Sequence, residues 1–458
     1  MHVPAPWALG LIPVVGWASS PLPSEPLTLA ELIRQSLEHN PDLAKAAALV
    51  EAEKERPAQA RALPDPILGL GLQNDGFRSL MIGKMETSYY QVMLTQPLPW
   101  PGKRALRGDL ARLEGERAQA GWARAKASVV ADVKRAYLGL LLTLGQKALL
   151  ERQELLWRKA EALTRTRYEV GQASQAEVLR AQVELARLRQ TRLSLGAQER
   201  SFRLTLNRLR GEALDAPLAV EARLEEMPWN PATAAEWRAR SEKESPELWE
   251  SRVASEQAER RVALAQRERY PDFAVTAGVM PRGSFDPMWQ VNVSITLPLW
   301  QKRKQAVSEQ AWRHRETQSG IQSLQQQLAL RIDERQAQME ATQETLRLYR
   351  DGLLVQSEAT FQAALAQYES GRGGFLPVME ALNGWVADQS AYLQTLAQAH
   401  TLLIAQEEFN LAATPSIAAA SLGSGAMGTG SVPMAASSSS SASRAASGPE
   451  SGPAMPSM

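Results

Sequence analysis

The feature that most constrains this chain is a long proline-free run that ends at a glycine. From Lys103 to Val170 there are 68 residues without a proline, and a continuous helix of that length would be about 100 Å long. The next residue is Gly171, and glycine accepts the positive φ with which many helices end. Beyond it, apolar residues recur at alternating intervals of three and four, with two charged interruptions, as in helices packed along other helices. This pattern predicts a reversal between two long helices, 103–170 and 172–211.

The same unit occurs twice in the chain. RYEVGQASQAEVLRAQ, from Arg167, matches QYESGRGGFLPVMEAL, from Gln367, at an offset of 200, so that Gly171 corresponds to Gly371. Shorter echoes occur in the same order at similar offsets: HNPDL with ESPEL, LPDP with YPDF, and LTQPLPWPGKR with ITLPLWQKR. Self-similarity of this kind indicates a tandem duplication. We therefore expect one elongated body of two repeats and a connector: 27–211, 212–235 and 236–413. The long helices of the second repeat are predicted at 302–370 and 373–413.

Each repeat also contains two stretches in which the apolar period changes from 3.6 to 2. They predict four strands, at about 66–74, 88–97, 271–280 and 288–299. A strand of about ten residues is long enough to cross a bilayer when tilted. Four aromatic residues near the strand ends are candidates for the girdles that form at membrane interfaces: Tyr89, Trp100, Trp289 and Trp300. The alternative is a small soluble pair of hairpins with one buried face.

Four strands cannot close a barrel, because about eight are needed for even the smallest. An open sheet cannot sit in lipid, because its edges would leave backbone groups unsatisfied. If the strands lie in a membrane, several copies of the chain must share one barrel, and three copies would supply twelve strands. The predicted fold is therefore mainly α-helical with a β-barrel part.

Composition and the chain ends narrow the functional classes. The formal net charge is +1, which gives no electrostatic reason to expect nucleic acid. Residues 1–20 are apolar and resemble a signal peptide, which predicts export. No stretch reaches 18 consecutive apolar residues, so no transmembrane helix is expected. Residues 414–458 are rich in Ser, Ala, Gly and Met and are predicted to be disordered.

Residues that carry chemistry are sparse. The four histidines are scattered without ligand spacing and there is no cysteine, so no catalytic, metal or cofactor site is predicted and the chain is not expected to be an enzyme. Polar residues cluster at the bends, and four could form a constriction if several copies met on an axis: Glu177, Tyr368, Arg372 and Glu380. The alternative is ordinary solvated helix ends. Five methionines lie in or near the strands: Met81, Met85, Met93, Met280 and Met288. Their thioethers could bind soft metal ions or simply fill space, and space-filling is the favoured interpretation.

Together, the doubled bends YEVGQAS and YESGRGG and the strand exits QPLPWPGKR and LPLWQKR resemble the TolC-type outer-membrane efflux proteins over about residues 27–413. The resemblance implies a homotrimer with a twelve-stranded barrel in the outer membrane and a helical barrel in the periplasm. It also implies a periplasmic adaptor and an inner-membrane pump as partners. ALPDPILGLGLQN and DPMWQVNVSITLPLW look most like members that serve heavy-metal resistance-nodulation-division pumps. The absence of cysteine argues against the lipid-anchored members.

The resemblance assigns roles at the bends. An acidic gate residue six positions after the first bend glycine corresponds to Glu177, and a gate tyrosine three positions before the second corresponds to Tyr368. Two positions after the second bend glycine, the family's arginine is replaced by glycine, although Arg372 is adjacent. Six positions after the same glycine, the family's acidic residue is replaced by proline. The next acidic residue is Glu380. Adaptor docking is expected at the bend residues themselves: Val170, Gly171, Ser174, Gly371 and Gly373. A soluble periplasmic coiled-coil adaptor or scaffold is the alternative function.

Overall fold

A computed structural model describes residues 27–220, 223–227, 232–297, 303–409 and 411. All of them belong to one unit within residues 1–422. The predicted signal peptide (1–20), the aromatic residue Trp300 and the predicted tail (414–458) lie outside the described residues.

The first repeat runs from two short helices through a hairpin to two long helices. Asn40 separates the short helices, and its side chain accepts from the backbone N–H of Asp42 at 2.9 Å, a cap that starts the second helix at Pro41. The third helix contains 67 residues, so it is about 100 Å long. The elements are α1 (Leu29–His39), α2 (Pro41–Arg61), β1 (Ile67–Gln73), β2 (Tyr89–Leu98), α3 (Lys103–Glu169) and α4 (Gln175–Leu209).

The second repeat has the same order of elements with one interruption. Where a single helix over 302–370 was expected, a π-helical turn at Tyr349–Leu353 separates two helices. A π turn widens the helix locally, because its hydrogen bonds span five residues instead of four. The elements are α5 (Ala234–Glu244), α6 (Pro246–Arg267), β3 (Phe273–Arg282), β4 (Phe285–Ile295), α7 (Arg303–Leu348), α8 (Leu354–Glu369) and α9 (Phe375–Glu407).

The four strands form one antiparallel sheet in the order β1-β2-β3-β4. The central pair joins the two repeats, with Leu98 opposite Phe273. The second hairpin is tighter than expected: β3 and β4 are linked by Gly283 and Ser284, with Gly283 at φ +71°. β4 therefore starts before the predicted 288 and, in the described residues, ends at Ile295. A two-residue Gly-Ser connection is a known hairpin signal, but prolines on both sides obscured it in the sequence.

One face of this sheet is apolar and exposed. The register places alternate residues of all four strands on this face, and their exposed fractions lie between 39% and 76%. The opposite, polar face carries mainly Gly, Gln, Thr, Asn, Ser and Met, together with Ile67 and Tyr89. The residues of the apolar face are Leu68, Leu70, Leu72, Tyr90, Val92, Leu94, Val279, Trp289, Val291, Val293 and Ile295.

The helical core is built around α3. It packs along α2, α4, α6 and α9 and contributes the largest share of the buried apolar residues. Trp157 of α3 and Trp385 of α9 are each 1% exposed and lie in one cluster near the bends. None of the helices in the described parts of the chain combines the length and hydropathy that a membrane span requires.

Candidate functional site at the two helical bends

The two bends have the same backbone geometry. At the first, Gln172 N–H donates to the carbonyl of Arg167 at 2.7 Å and Gly171 N–H donates to that of Tyr168 at 3.0 Å. These two bonds define a Schellman motif with glycine in the left-handed region, and Gly171 has φ +76°. The second bend repeats both bonds, at 2.9 and 3.1 Å, with Gly371 at φ +79°. The chain therefore reverses direction at both glycines.

The two bend tyrosines occupy different environments. Tyr168 is 47% exposed, whereas Tyr368, at the equivalent position of the second repeat, is 2% exposed. The duplication thus preserves the backbone but not the packing. Tyr368, unlike Tyr168, is therefore placed to attach its own bend to the other helices.

Tyr368 is held by a directional contact to α3. Its hydroxyl lies 3.0 Å from Thr164 Oγ1, and Thr164 Oγ1 donates its own hydrogen to the Ala160 carbonyl at 2.8 Å. A threonine hydroxyl has one hydrogen, so the Tyr368 hydroxyl is the donor to Thr164. The guanidinium of Arg167 lies 4.3 Å from the centre of the Tyr368 ring, within cation–π range.

An aromatic cluster extends this contact along α3. The rings of Tyr368 and Phe375 are 5.8 Å apart, and Phe375 meets Trp157 of α3 edge to face at 6.2 Å. Further from the bend, Phe361 stacks on Trp385 at 6.0 Å. Aromatic pairs of this kind contribute about 1 kcal/mol beyond the area they bury. The cluster holds the α8–α9 hairpin against α3.

A charged contact lies beside the same cluster. The guanidinium of Arg152 on α3 sits 4.5 Å from the ring centre of Trp385 and donates to Glu358 of α8 at 3.0 Å. It therefore links α3 to both helices of the second hairpin. This ion pair is exposed on both sides, so it contributes at most about 1 kcal/mol.

The charged residues predicted for the gate are wholly or partly exposed. Arg372 and Glu380 are exposed and Glu177 is half-buried. Glu177 lies in the first turn of α4, where the helix dipole favours a carboxylate. The chain brings neither carboxylate onto Tyr368. A contact between these charged groups would have to come from another copy.

The residues predicted for docking lie on the surface of the two turns. Val170 is 64% exposed, and Gly171, Ser174 and Gly371 are exposed, while Gly373 is half-buried against Gln367. Val170 gives the first turn an exposed apolar tip, whereas the equivalent position of the second turn is the exposed, polar Ser370.

The α3–α4 hairpin is fixed by a second, charged contact away from its bend. Lys147 of α3 donates to Glu199 of α4 at 2.6 Å, and Arg203 donates to the same carboxylate at 2.8 Å. Burial raises the pKa of Glu199, but the hydrogen bonds from Lys147 and Arg203 outweigh it and hold the pKa below its usual value. On α9, burial lowers the pKa of His400 to about 4, so this histidine is neutral at pH 7.

At the other end of α3, the sheet is joined to the helices by a buried cation. Lys103 has a side chain 3% exposed, and its Nζ donates to Asp272 at 2.7 Å and to the Tyr270 carbonyl at 2.9 Å. Asp272 also accepts from the Trp100 N–H at 2.8 Å, and the Trp100 ring stacks on Tyr270 at 5.2 Å. A cation at a helix N-terminus is unfavourable by itself, and the Asp272 carboxylate offsets that cost.

The interface aromatics fall into three cases. Trp100 lies at the sheet–helix junction, and Trp289 lies on the apolar face toward the β3–β4 turn, 76% exposed. Tyr89 is on the polar face, where its hydroxyl donates to Gln73 at 2.7 Å. The neighbouring Tyr90 is on the apolar face, so we transfer the proposed interface role from Tyr89 to Tyr90.

Several residues of the site were not predicted from the sequence. Thr164, Arg167 and Arg152 all come from α3, and they contact residues about 200 positions later in the chain. Their side chains carry no local pattern that marks them. Within the described residues, no group of three or more His, Asp or Glu side chains is placed to hold a metal ion.

Comparison with known proteins identifies the family. A family model described as outer membrane efflux protein matches residues 32–212 and 237–406. The cobalt-zinc-cadmium resistance protein CzcC of Cupriavidus metallidurans (strain ATCC 43123 / DSM 2839 / NBRC 102507 / CH34) is 23% identical over 381 residues, which cover 82% of this chain and 88% of CzcC.

Two solved structures share the fold. The outer membrane protein VceC of Vibrio cholerae matches with a TM-score of 0.68 at 18% identity, over 82% of this chain and 94% of VceC. CusC matches with a TM-score of 0.66 at 16% identity, over 83% of this chain and 90% of CusC. The resemblance drawn from the bends and strand exits is confirmed. The chain belongs to the outer membrane efflux protein family, and its place is the outer membrane, from which it extends into the periplasm.

Proposed function

We propose that this protein is the exit duct of a tripartite efflux system, which passively conducts substrates from a pump and its adaptor to the outside of the cell. The observation that carries this proposal is the exposed apolar face of the four-stranded sheet. A monomeric soluble protein rarely leaves so large an apolar patch in water. A membrane-spanning sheet needs such a face toward lipid and a polar face toward its lumen.

The edges of the sheet support an oligomer. Within the described residues, β1 and β4 each have a strand partner on one side only. In lipid, unpaired edges leave backbone groups unsatisfied, so β4 of one copy would pair with β1 of the next. We propose a homotrimer, because three copies give twelve strands and place the helical hairpins side by side in a periplasmic barrel.

The bends are proposed as the closed periplasmic end. The Tyr368–Thr164 hydrogen bond and the aromatic cluster hold α8–α9 against α3 in each copy. Glu177, Arg372 and Glu380 would then face their counterparts near the threefold axis. An adaptor that bound the turns at Val170 and Gly371 in the open arrangement would shift the population toward it, because a ligand favours the state it binds more tightly.

The proposed partners follow from the family and from one relative. We propose a periplasmic adaptor, a pump of the resistance-nodulation-division class in the inner membrane, and heavy-metal ions as the substrate class. The last rests on the 23% identical CzcC, which is described as a cobalt-zinc-cadmium resistance protein. No catalytic step and no bound cofactor are part of the proposal.

Cell fractionation tests this function against the runner-up, a soluble periplasmic adaptor. The duct is expected in the outer-membrane fraction as a heat-resistant trimer that forms pores in planar bilayers. A soluble periplasmic monomer that forms no pores would refute it. Leu70→Asp, on the apolar face, should abolish membrane insertion, whereas Gln290→Asp, on the polar face, serves as the matched control and should insert.

A further inference from the structure

Three methionines converge on the polar face of the sheet. Met280 and Met288 are directly opposite each other on β3 and β4. Met93 on β2 is opposite Gly278, which lies two residues before Met280 on the same face of β3. Opposite residues of antiparallel strands have Cβ atoms about 5 Å apart, and diagonal neighbours remain within reach of long side chains. The register therefore brings three thioethers from three adjacent strands together.

The missing side chain at Gly278 makes room for this group. A Cβ built at Gly278 would lie 2.1 Å from the Met93 sulfur, so the thioether of Met93 occupies the space above the glycine. Met93 and Met280 are 9% and 6% exposed, and Met288 is half-buried. The three side chains thus share one largely covered patch of the sheet instead of extending freely into solvent.

The chemistry of the surroundings restricts the ligand. Thioethers are soft, uncharged donors that favour Cu(I) and related ions over Zn²⁺ and Co²⁺. The polar-face residues Gln290, Asn292 and Thr276 on one side are uncharged as well, while Arg282 and Asp286, two residues from Met280 and Met288 toward the turn, carry opposite charges. Neutral donors leave the full charge of the ion uncompensated, which is least costly for a monovalent ion. Since the chain contains no cysteine, thiolates cannot compete for a soft metal.

We propose that Met93, Met280 and Met288 form a binding site for a soft monovalent metal ion, Cu(I) or Ag(I), on the inward face of the barrel. The inference rests on the proposed function for its role, because only a closed barrel places this face in a conducting lumen. There the site would hold an ion during passage. Three uncharged donors also suit an ion that must leave again.

Silver binding by the purified full-length protein tests the site, because Ag(I) is stable in air. Titration calorimetry is expected to show one saturable Ag(I) per chain. Met93→Leu, Met280→Leu and Met288→Leu each keep the side-chain size and remove the sulfur, and each should weaken binding at least tenfold. Met339→Leu is the matched control, because Met339 is 2% exposed in α7, and it should leave binding unchanged. Zn²⁺ and Co²⁺ should show no binding that depends on the three methionines.

Two results would overturn the proposal: a triple leucine variant that binds Ag(I) as the unchanged protein does, or an equal loss in Met339→Leu. The triple variant should still reach the outer membrane and form pores. Loss of silver binding with normal pores supports the site. Normal silver binding by a protein that forms no pores would refute the duct and leave the site standing, so the two failures are distinguishable.

Discussion

Replacing Tyr368 with phenylalanine is expected to loosen the closed end of the duct. The change removes the hydroxyl that donates to Thr164 and keeps the ring, which still contacts Phe375 and Arg167. Thr164 remains bonded to the Ala160 carbonyl, so no buried donor is orphaned. The loss is therefore that of one hydrogen bond, about 1 kcal/mol per chain. If three chains open together the loss is about 3 kcal/mol, a shift of about a hundredfold toward the open state.

Single-channel recording in planar bilayers, without adaptor, measures this shift as the fraction of time in the high-conductance state. The second bend tyrosine supplies a matched control, because Tyr168 occupies the equivalent position of the first repeat but is 47% exposed. Tyr168→Phe makes the same chemical change and should leave the open fraction as it was. An open fraction of Tyr368→Phe equal to that of the unchanged protein, or equal opening of both variants, would refute a closing role for the Tyr368 hydroxyl.

Three further predictions concern charge. Glu177→Gln combined with Glu380→Gln removes carboxylates from the proposed constriction and should lower cation selectivity, and an unchanged reversal potential in a salt gradient would contradict this. His400 has its pKa lowered to about 4, so unfolded chains bind the proton first as the pH falls. The free energy of unfolding should drop by roughly 3 kcal/mol between pH 6.5 and 4. Thermal melts of His400→Gln should show a weaker dependence on pH, and parallel pH curves for this variant and the parent protein would contradict the prediction. Asp272→Ala leaves Lys103 buried without its carboxylate and should lower stability by roughly 1–3 kcal/mol in melts at pH 7. Adding Lys103→Met should recover part of this loss. An Asp272→Ala variant as stable as the parent would show that the ion pair does not stabilise the fold.

The architecture could be predicted from the sequence because local signals repeat. Gly171 and Gly371 fall at the same point of two matched segments, and only glycine adopts the left-handed backbone there without strain. Alternation of apolar and polar residues predicted four strands, because a sheet with one polar and one apolar face requires it. The face of an individual residue was harder to predict: Tyr89 and Tyr90 differ by one position and lie on opposite faces.

The packing at the bends could not be predicted in the same way. Tyr168 and Tyr368 occupy equivalent positions, but Tyr368 is buried against Thr164 and Arg167 of α3, whereas Tyr168 is itself a residue of α3 and is 47% exposed. Thr164 becomes a hydrogen-bond partner only through a contact across about 200 residues. The π turn at Tyr349–Leu353 also has no local marker in the sequence.

The proposed trimeric duct is tested most directly by electron cryo-microscopy of the protein extracted from the outer membrane. We expect a particle of three chains in which four strands from each chain complete one twelve-stranded ring. At the opposite end, the six bends should converge on the threefold axis, with Tyr368 packed on Thr164 in every chain. A monomer, a sheet with open edges, or bends that lie far from the axis in the adaptor-free particle would contradict the proposed duct.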